Sequence, residues 1–182
     1  MGASSWSRKV AYQADIAAAL RQAREDAYRE GDCYRSDPSP GARTMSEDEF
    51  AAASVAEMRE GFRDAFGADA GDPDDGFARE EWRAAQIDVV DADTLLASQP
   101  FSGTHSVIDM TGVAPRPEDG MVAPLSDDDL DRWFGTRRPD PASVERALRE
   151  GLSGFERWHG AYVVAYAGAR PDTIYFFGWS GD

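Results

Sequence analysis

A chain of 182 residues, 42% hydrophobic and holding five Trp and nine Phe, is long enough for one domain with a sizeable core. Its net charge of −15 disfavours nucleic acid and anionic membrane as partners and favours a basic protein, with a charge that serves only solubility as the plain reading beside it. Residues 46–93 hold four bases against fifteen acids, so that stretch alone carries −11.

Residues 12–30 read as a helix, because Ile16, Leu20, Ala23 and Ala27 recur at i, i+4, i+7 and i+11 with charge on the other faces. Asp15 falls in its first turn, where a carboxylate suits the helix dipole, and Gly31 stands at the stop. Two prolines and a glycine make residues 37–41 a loop. Ser46, with Glu49 three residues on, forms a capping box. It opens a helix through Phe66 with Phe50, Val55, Met58, Phe62 and Phe66 on one side. An acidic loop over 69–76 leads to a third helix over 77–85.

Residues 86–90 read as a strand with Ile87 and Val89 on one face, before a helical turn through Leu95 and Leu96 capped by Asp91 or Asp93. Residues 104–113 read as a better strand, since His105, Val107 and Asp109 alternate with Ser106, Ile108 and Met110. Three prolines make 114–124 a loop. Ser126 opens a short helix to Phe134, and Asp140 followed by Pro141 starts another towards Gly151.

The last stretch is a β-hairpin: two β-branched and aromatic runs flank Gly168, Pro171 and Asp172. Tyr162, Val164 and Tyr166 share one face and Val163, Ala165 and Ala167 the other. In the partner run Ile174 and Phe176 face away from Tyr175, Phe177 and Trp179. Both faces are apolar, so the hairpin belongs inside a sheet covered on both sides. Helices first and strands late give an α+β fold over residues 1–182. The expected sheet is small and mainly antiparallel, has a C-terminal β-hairpin, and is covered by the N-terminal and middle helices.

The single Cys33 excludes an intramolecular disulfide and suits a reducing compartment. No apolar run follows Arg8 and Lys9 as a secretory signal requires, and nothing approaches the roughly 18 apolar residues of a membrane span. Trp6 stands where myristoylation needs Ser or Thr. The expectation is a cytoplasmic protein without a membrane partner.

His105 and Asp109 are the sharpest candidate catalytic pair. On a strand they would share a face about 13 Å apart, lining one cleft with an imidazole in the acid–base range. A histidine bonded to backbone at a strand entrance is the plain reading beside it. His159, paired with Glu156, is a second acid–base candidate. Tyr162, Tyr166, Tyr175 and Trp179 are candidates for the wall of a small-molecule pocket, although strand aromatics ordinarily form core.

Neither histidine has a spaced partner for zinc. Setting Gly76 at the invariant glycine of a calcium loop puts Gly71, Pro73 and Trp82 at ligand positions, so that register fails. Cys33 lacks the neighbouring histidine of an activated thiolate, and Gly178-Trp179-Ser180-Gly181 lacks the spacing of a nucleophile elbow. No glycine-rich phosphate loop is present. No metal and no cofactor are expected.

Tyr12-Gln13-Ala14-Asp15-Ile16 with Leu20, Arg21 and Arg24, and Tyr162-Val163-Val164 with Gly178-Trp179-Ser180-Gly181-Asp182, resemble a family of small uncharacterised bacterial cytosolic proteins. The resemblance covers the two ends of the chain. It implies a bacterial cytosolic origin, and because the family has no established activity it assigns no site residue. Two functions are expected from the residues themselves. The first is an acidic, inhibitor- or immunity-like binding protein acting on a basic protein partner. The alternative is a small-molecule enzyme or ligand-binding domain, its pocket between sheet and helices, using His105 and Asp109. Neither reading specifies an oligomeric state.

Overall fold

A computed structural model describes residues 4–66, 74–152 and 156–180, with side chains of residues 60 and 62–66 left aside. In chain order the elements are β1 (Ser5–Ala11), α1 (Ile16–Glu30), α2 (Glu47–Phe66), α3 (Gly76–Ala85) and α4 (Ala92–Ala97). A 3-10 turn (Val107–Asp109), β2 (Gly112–Val113), β3 (Met121–Pro124), α5 (Asp127–Phe134) and α6 (Pro141–Glu150) follow. β4 (Gly160–Ala167) and β5 (Arg170–Trp179) close the series. The chain forms two compact units, Met1–Tyr34 with Ser102–Asp182 and Arg35–Phe101.

Unit 1 is an α+β fold around one five-stranded sheet of order β1-β5-β4-β3-β2. The β4–β5 hairpin is its centre, with β1 antiparallel to β5 and the short β3 and β2 parallel beyond β4. The two-sided apolar pattern works as anticipated. On one face Ala161, Val163, Ala165, Tyr175 and Phe177 pack with Val144 of α6 and Leu125. Leu130, Trp133 and Phe134 of α5 and Leu148 of α6 lean on the same cluster. On the other face Ile174 and Phe176 are fully buried, as are Leu20 of α1 and Val107 and Ile108 of the 3-10 turn.

The hairpin begins at a glycine pair, Gly160 opposite Gly178. A Cβ on Gly178 would lie 2.6 Å from Cζ2 of Trp6 and 2.6 Å from the His159 carbonyl oxygen. One on Gly160 would lie 2.7 Å from the Met110 sulfur and from Val122. Bare backbone here lets the Trp6 ring and Met110 lie directly on the strands, which is close packing that any side chain would prevent.

Local signals explain most element ends. Asp15 is the N-cap of α1 rather than a first-turn residue, accepting from the Ala18 N–H at 3.0 Å, and Gly31 ends the helix at φ 71°. Ser46 and Glu49 form the expected capping box, the Glu49 N–H donating to Ser46 Oγ while Glu49 accepts from the Ser46 N–H. Ser126 and Asp140 cap α5 and α6 as anticipated. Unit 2 is α2 packed on α3 with α4 following, around Ala42, Phe50, Ala51, Ala78 and Ala85 with Trp82. Phe62 and Phe66 fall outside the described side chains, and most of the 69–76 loop falls outside the described residues.

Three assignments need correction, and one strand was not anticipated. Residues 86–90 are not a strand: Ile87 donates its N–H to the Ala84 carbonyl and the run continues off α3 into the Asp91 cap. Residues 104–113 are a turn with a two-residue strand, because Ser106 and Asp109 hydrogen-bond locally in place of a ladder. Part of the proline-bearing 114–124 segment is strand β3, with Pro124 at its last position. Residues 5–11 are strand β1, whose Trp6 and Val10 are buried between exposed Ser5, Ser7, Lys9 and Ala11.

Gly178→Ala is expected to lower unfolding stability by about 1–3 kcal/mol through overpacking, and Phe176→Ala by about 3–5 kcal/mol through cavity formation. Urea titration, with midpoints shifted at constant m, checks both.

Candidate functional site

The 3-10 turn holds Asp109 close enough to His105 for the imidazole charge to act on it, and the two do not share a strand face. Ser106 is the cap of the turn and its Oγ accepts from the Ile108 N–H at 3.2 Å. Asp109 is 3% exposed, and its Oδ1 accepts from the Thr104 N–H at 2.6 Å and from Thr104 Oγ1 at 2.8 Å. With the Thr104 hydroxyl spent on the carboxylate, Ser106 Oγ donates across the 2.9 Å contact to Thr104 Oγ1. The result is a short relay running from the Ile108 amide to the Asp109 carboxylate. Oδ2 is buried with no hydrogen-bond partner among the described residues.

Burial pushes the Asp109 carboxyl above the ordinary value, opposed by donors from Thr104 and Ser106 and by the charge of nearby His105. His105 sits at φ 52°, in the left-handed region that non-glycine residues rarely adopt. Its ring stacks on Tyr34 at 4.8 Å between centroids, and the Tyr34 N–H donates to the Thr104 carbonyl at 2.7 Å. Cys33 precedes Tyr34 and is a half-buried free thiol. Gly103, at φ 62°, is covered by the Trp158 indole: a Cβ there would meet that ring at 3.0 Å and Asp109 Oδ1 at 3.1 Å.

His159 follows Trp158 in sequence. Its Nε2 lies 2.9 Å from Asp119 Oδ1, and its Nδ1 is 3.8 Å from Glu156, the partner that sequence pointed to. Asp119, Tyr34, Trp158 and Gly103 were missed. The available signal was Ser-x-x-Asp over residues 106–109, a capping pattern that argues for a turn where alternation argued for a strand.

The four aromatics are not brought into one wall. Tyr162 pairs in register with Phe176, and Tyr175 with Val163, so Tyr162 and Tyr175 stand on opposite faces. Tyr162 and Tyr166 border a groove of about 160 Å3 with Leu130 and Arg137, and the Arg138 guanidinium lies 5.6 Å from the Tyr166 ring. Trp179 and Tyr175 border two other grooves, beside β1. None of these three grooves is lined by His105, Asp109 or His159. Ser180 is fully buried, its hydroxyl donating to the Ser4 carbonyl. Among the described residues no group of three or more His, Cys, Asp or Glu is arranged to hold a metal ion. Among them, too, no helix is long and apolar enough to cross a membrane.

Unit 2 presents different chemistry. Arg79 bonds Asp48 at 2.8 Å and Asp75 at 2.9 Å, and Arg83 bonds Glu47 at 2.6 Å. These cations are thus neutralised within the unit, while Glu57, Asp74, Glu80 and Asp88 are exposed. Phe77 and Phe101 stack at 4.0 Å yet remain 51% and 40% exposed.

No family model, curated protein or solved structure matches this chain.

Because the native Asp109 carboxyl titrates above its unfolded value, its protonated form favours folding. That contribution is complete below pH 3.8, the ordinary value, and is lost as pH rises through the raised native one. Urea melts of the wild type and Asp109→Asn across the acid range are expected to show the wild type losing stability relative to the variant as pH increases.

Proposed function

We propose that this protein is an acidic binding module that regulates a basic protein partner, in the manner of an inhibitor or immunity protein. The observation that supports it is the distribution of charge. Arg35–Phe101 holds six bases and sixteen acids, so this unit carries −10 of the total −15. Its principal α3 cations are already engaged by its own carboxylates, which leaves the exposed acids to set the outward field.

A field of this sign speeds encounter with a basic surface and supplies little affinity by itself. Affinity at interfaces comes from a few desolvated aromatic anchors. The exposed Phe77–Phe101 stack is such an anchor, set on the same unit as the acids. A cytoplasmic setting goes with this reading, and the lone thiol Cys33 agrees with it.

The alternative, a small-molecule site at His105 and Asp109, has less support. Asp109 spends one oxygen holding its own turn, and none of the three grooves reaches either residue. What favours it is the raised carboxyl beside an imidazole, a pairing found at acid–base sites.

A pull-down from native lysate at low salt is expected to retain a basic protein that moderate salt releases. With that partner, stopped-flow association should slow at least about tenfold as salt rises from about 0.02 M to about 0.5 M, because screening shortens the Debye length. Glu80→Lys combined with Asp88→Lys should slow association without shifting the melting temperature. Phe77→Ala should instead raise the dissociation rate at least about tenfold. Association indifferent to both salt and charge reversal would sink the reading.

A further inference from the structure

An unassigned surface lies at the edge of the sheet in unit 1. β1 is the outermost strand and pairs only with β5 among the described strands. The Tyr12 N–H donates to the Asp172 carbonyl and the Ser180 N–H to the Ser4 carbonyl, which fixes the phase of the ladder. Trp6, Arg8 and Val10 therefore exchange bonds with β5, while the N–H and C=O groups of Ser5, Ser7, Lys9 and Ala11 point outward. A row of this kind is a template for another extended chain. Natural edges are guarded by bulges, prolines and charges, and here Lys9 is the only guard among the four outward residues.

The side chains of those residues share the sheet face of Tyr175 and Phe177, and a trough runs between them and α6. Beside Ser5 and Ser7 it has a volume of about 140 Å3 and is bounded by Leu148, Leu152, Phe177 and Trp179. Beside Ser7 and Lys9 it widens to about 380 Å3, bounded by Glu145, Leu148, Arg149 and Tyr175. Ser7 and Leu148 border both compartments, which are therefore consecutive. Same-face side chains of an extended peptide recur every roughly 7 Å, one two-residue repeat of β1 itself.

The compartments differ in chemistry. The first sets the apolar side chains of Leu148 on α6, Leu152 beyond it, and Phe177 and Trp179 on β5 beside the hydroxyls of Ser5 and Ser7. The second sets Lys9 and Arg149 against the single carboxylate of Glu145, which Lys9 Nζ and Tyr175 Oη each approach at 3.1 Å. Arg8 borders it too, but its guanidinium reaches Glu30 and Asp32. In a chain of net charge −15 this is a local cationic rim.

We propose that β1 receives an extended segment of another protein as an added strand. An apolar side chain of that segment enters the first compartment, and a carboxylate two residues away meets Lys9 and Arg149 in the second. A second copy of β1 is the wrong occupant, since it would offer serines to the apolar compartment and a lysine to the cationic rim. This surface belongs to unit 1 and stands apart from the charge reading of unit 2.

The test is fluorescence polarisation with a labelled nine-residue peptide of alternating threonine and valine, carrying one leucine and a glutamate two residues on. The expected result is saturable binding tighter than about 1 mM, weakened at least tenfold when the glutamate becomes lysine. Arg149→Glu should reverse that preference. Ser7→Pro removes an outward N–H while sparing the β1–β5 ladder, and should abolish binding with the melting temperature retained. If Ser7→Pro fails to fold, N-methylation of the alternate peptide amides that would bond β1 tests the same bonds from the other side. Binding that survives either block, or that ignores the charge of the peptide, would overturn the proposal. So would no binding of any peptide, or a dimer in sedimentation that Ser7→Pro dissolves.

Discussion

A hairpin that is apolar on both faces cannot meet water on either, and unit 1 follows from that constraint. Tyr175 and Phe177 require a cover, which α5 and α6 supply with Leu130, Trp133, Val144 and Leu148. Ile174 and Phe176 require another; both are fully buried, and the 3-10 turn with Val107 and Ile108 lies against β5. Burying a Phe side chain in full is worth about 1.5–3 kcal/mol, so exposing either face would cost a large share of a stability of only about 5–15 kcal/mol. The glycines at 160 and 178 then let Met110 and Trp6 seat directly on the strands. Burial is the term that wins, and the caps only fix where each covering helix begins.

The same logic separates what was legible in the sequence from what was not. Helices announced themselves, because Asp15, Ser46, Ser126 and Asp140 each cap a helix through a bond to a residue three positions on. The hairpin was legible for its β-branched and aromatic density. β1 was not, although Trp6 and Val10 do alternate with polar residues, because Arg8 lies in phase with them. Its guanidinium escapes to Glu30 and Asp32, a pairing 22 and 24 residues away that periodicity does not encode. Residues 104–113 failed in the opposite sense. Their alternation was real, but Ser106, Thr104 and Asp109 satisfy the backbone locally, and that local option outcompetes a ladder.

The candidate site was half legible for the same reason. His105 and Asp109 were expected about 13 Å apart on one strand face; instead Asp109 closes a turn, where the carboxylate has structural employment before any chemical one. The partners supplied by distant segments were invisible: Tyr34 against His105, Trp158 over Gly103, and Asp119 against His159. The pocket expected of four aromatics dissolves once strand phase is known, because Tyr162 and Tyr175 stand on opposite sides of one sheet.

The pairing of β1 with β5 joins Ser4 to Ser180, 176 positions apart. During synthesis β1 is made before every other described element, and the strand it pairs with, β5, is made after all of them. Helix pairs such as α2 and α3 depend on contacts closer in sequence and can form while the chain is still growing. The β1–β5 ladder therefore closes only after every other element of the sheet has been made, which leaves Trp6 and Val10 among the last strand residues to find their partners.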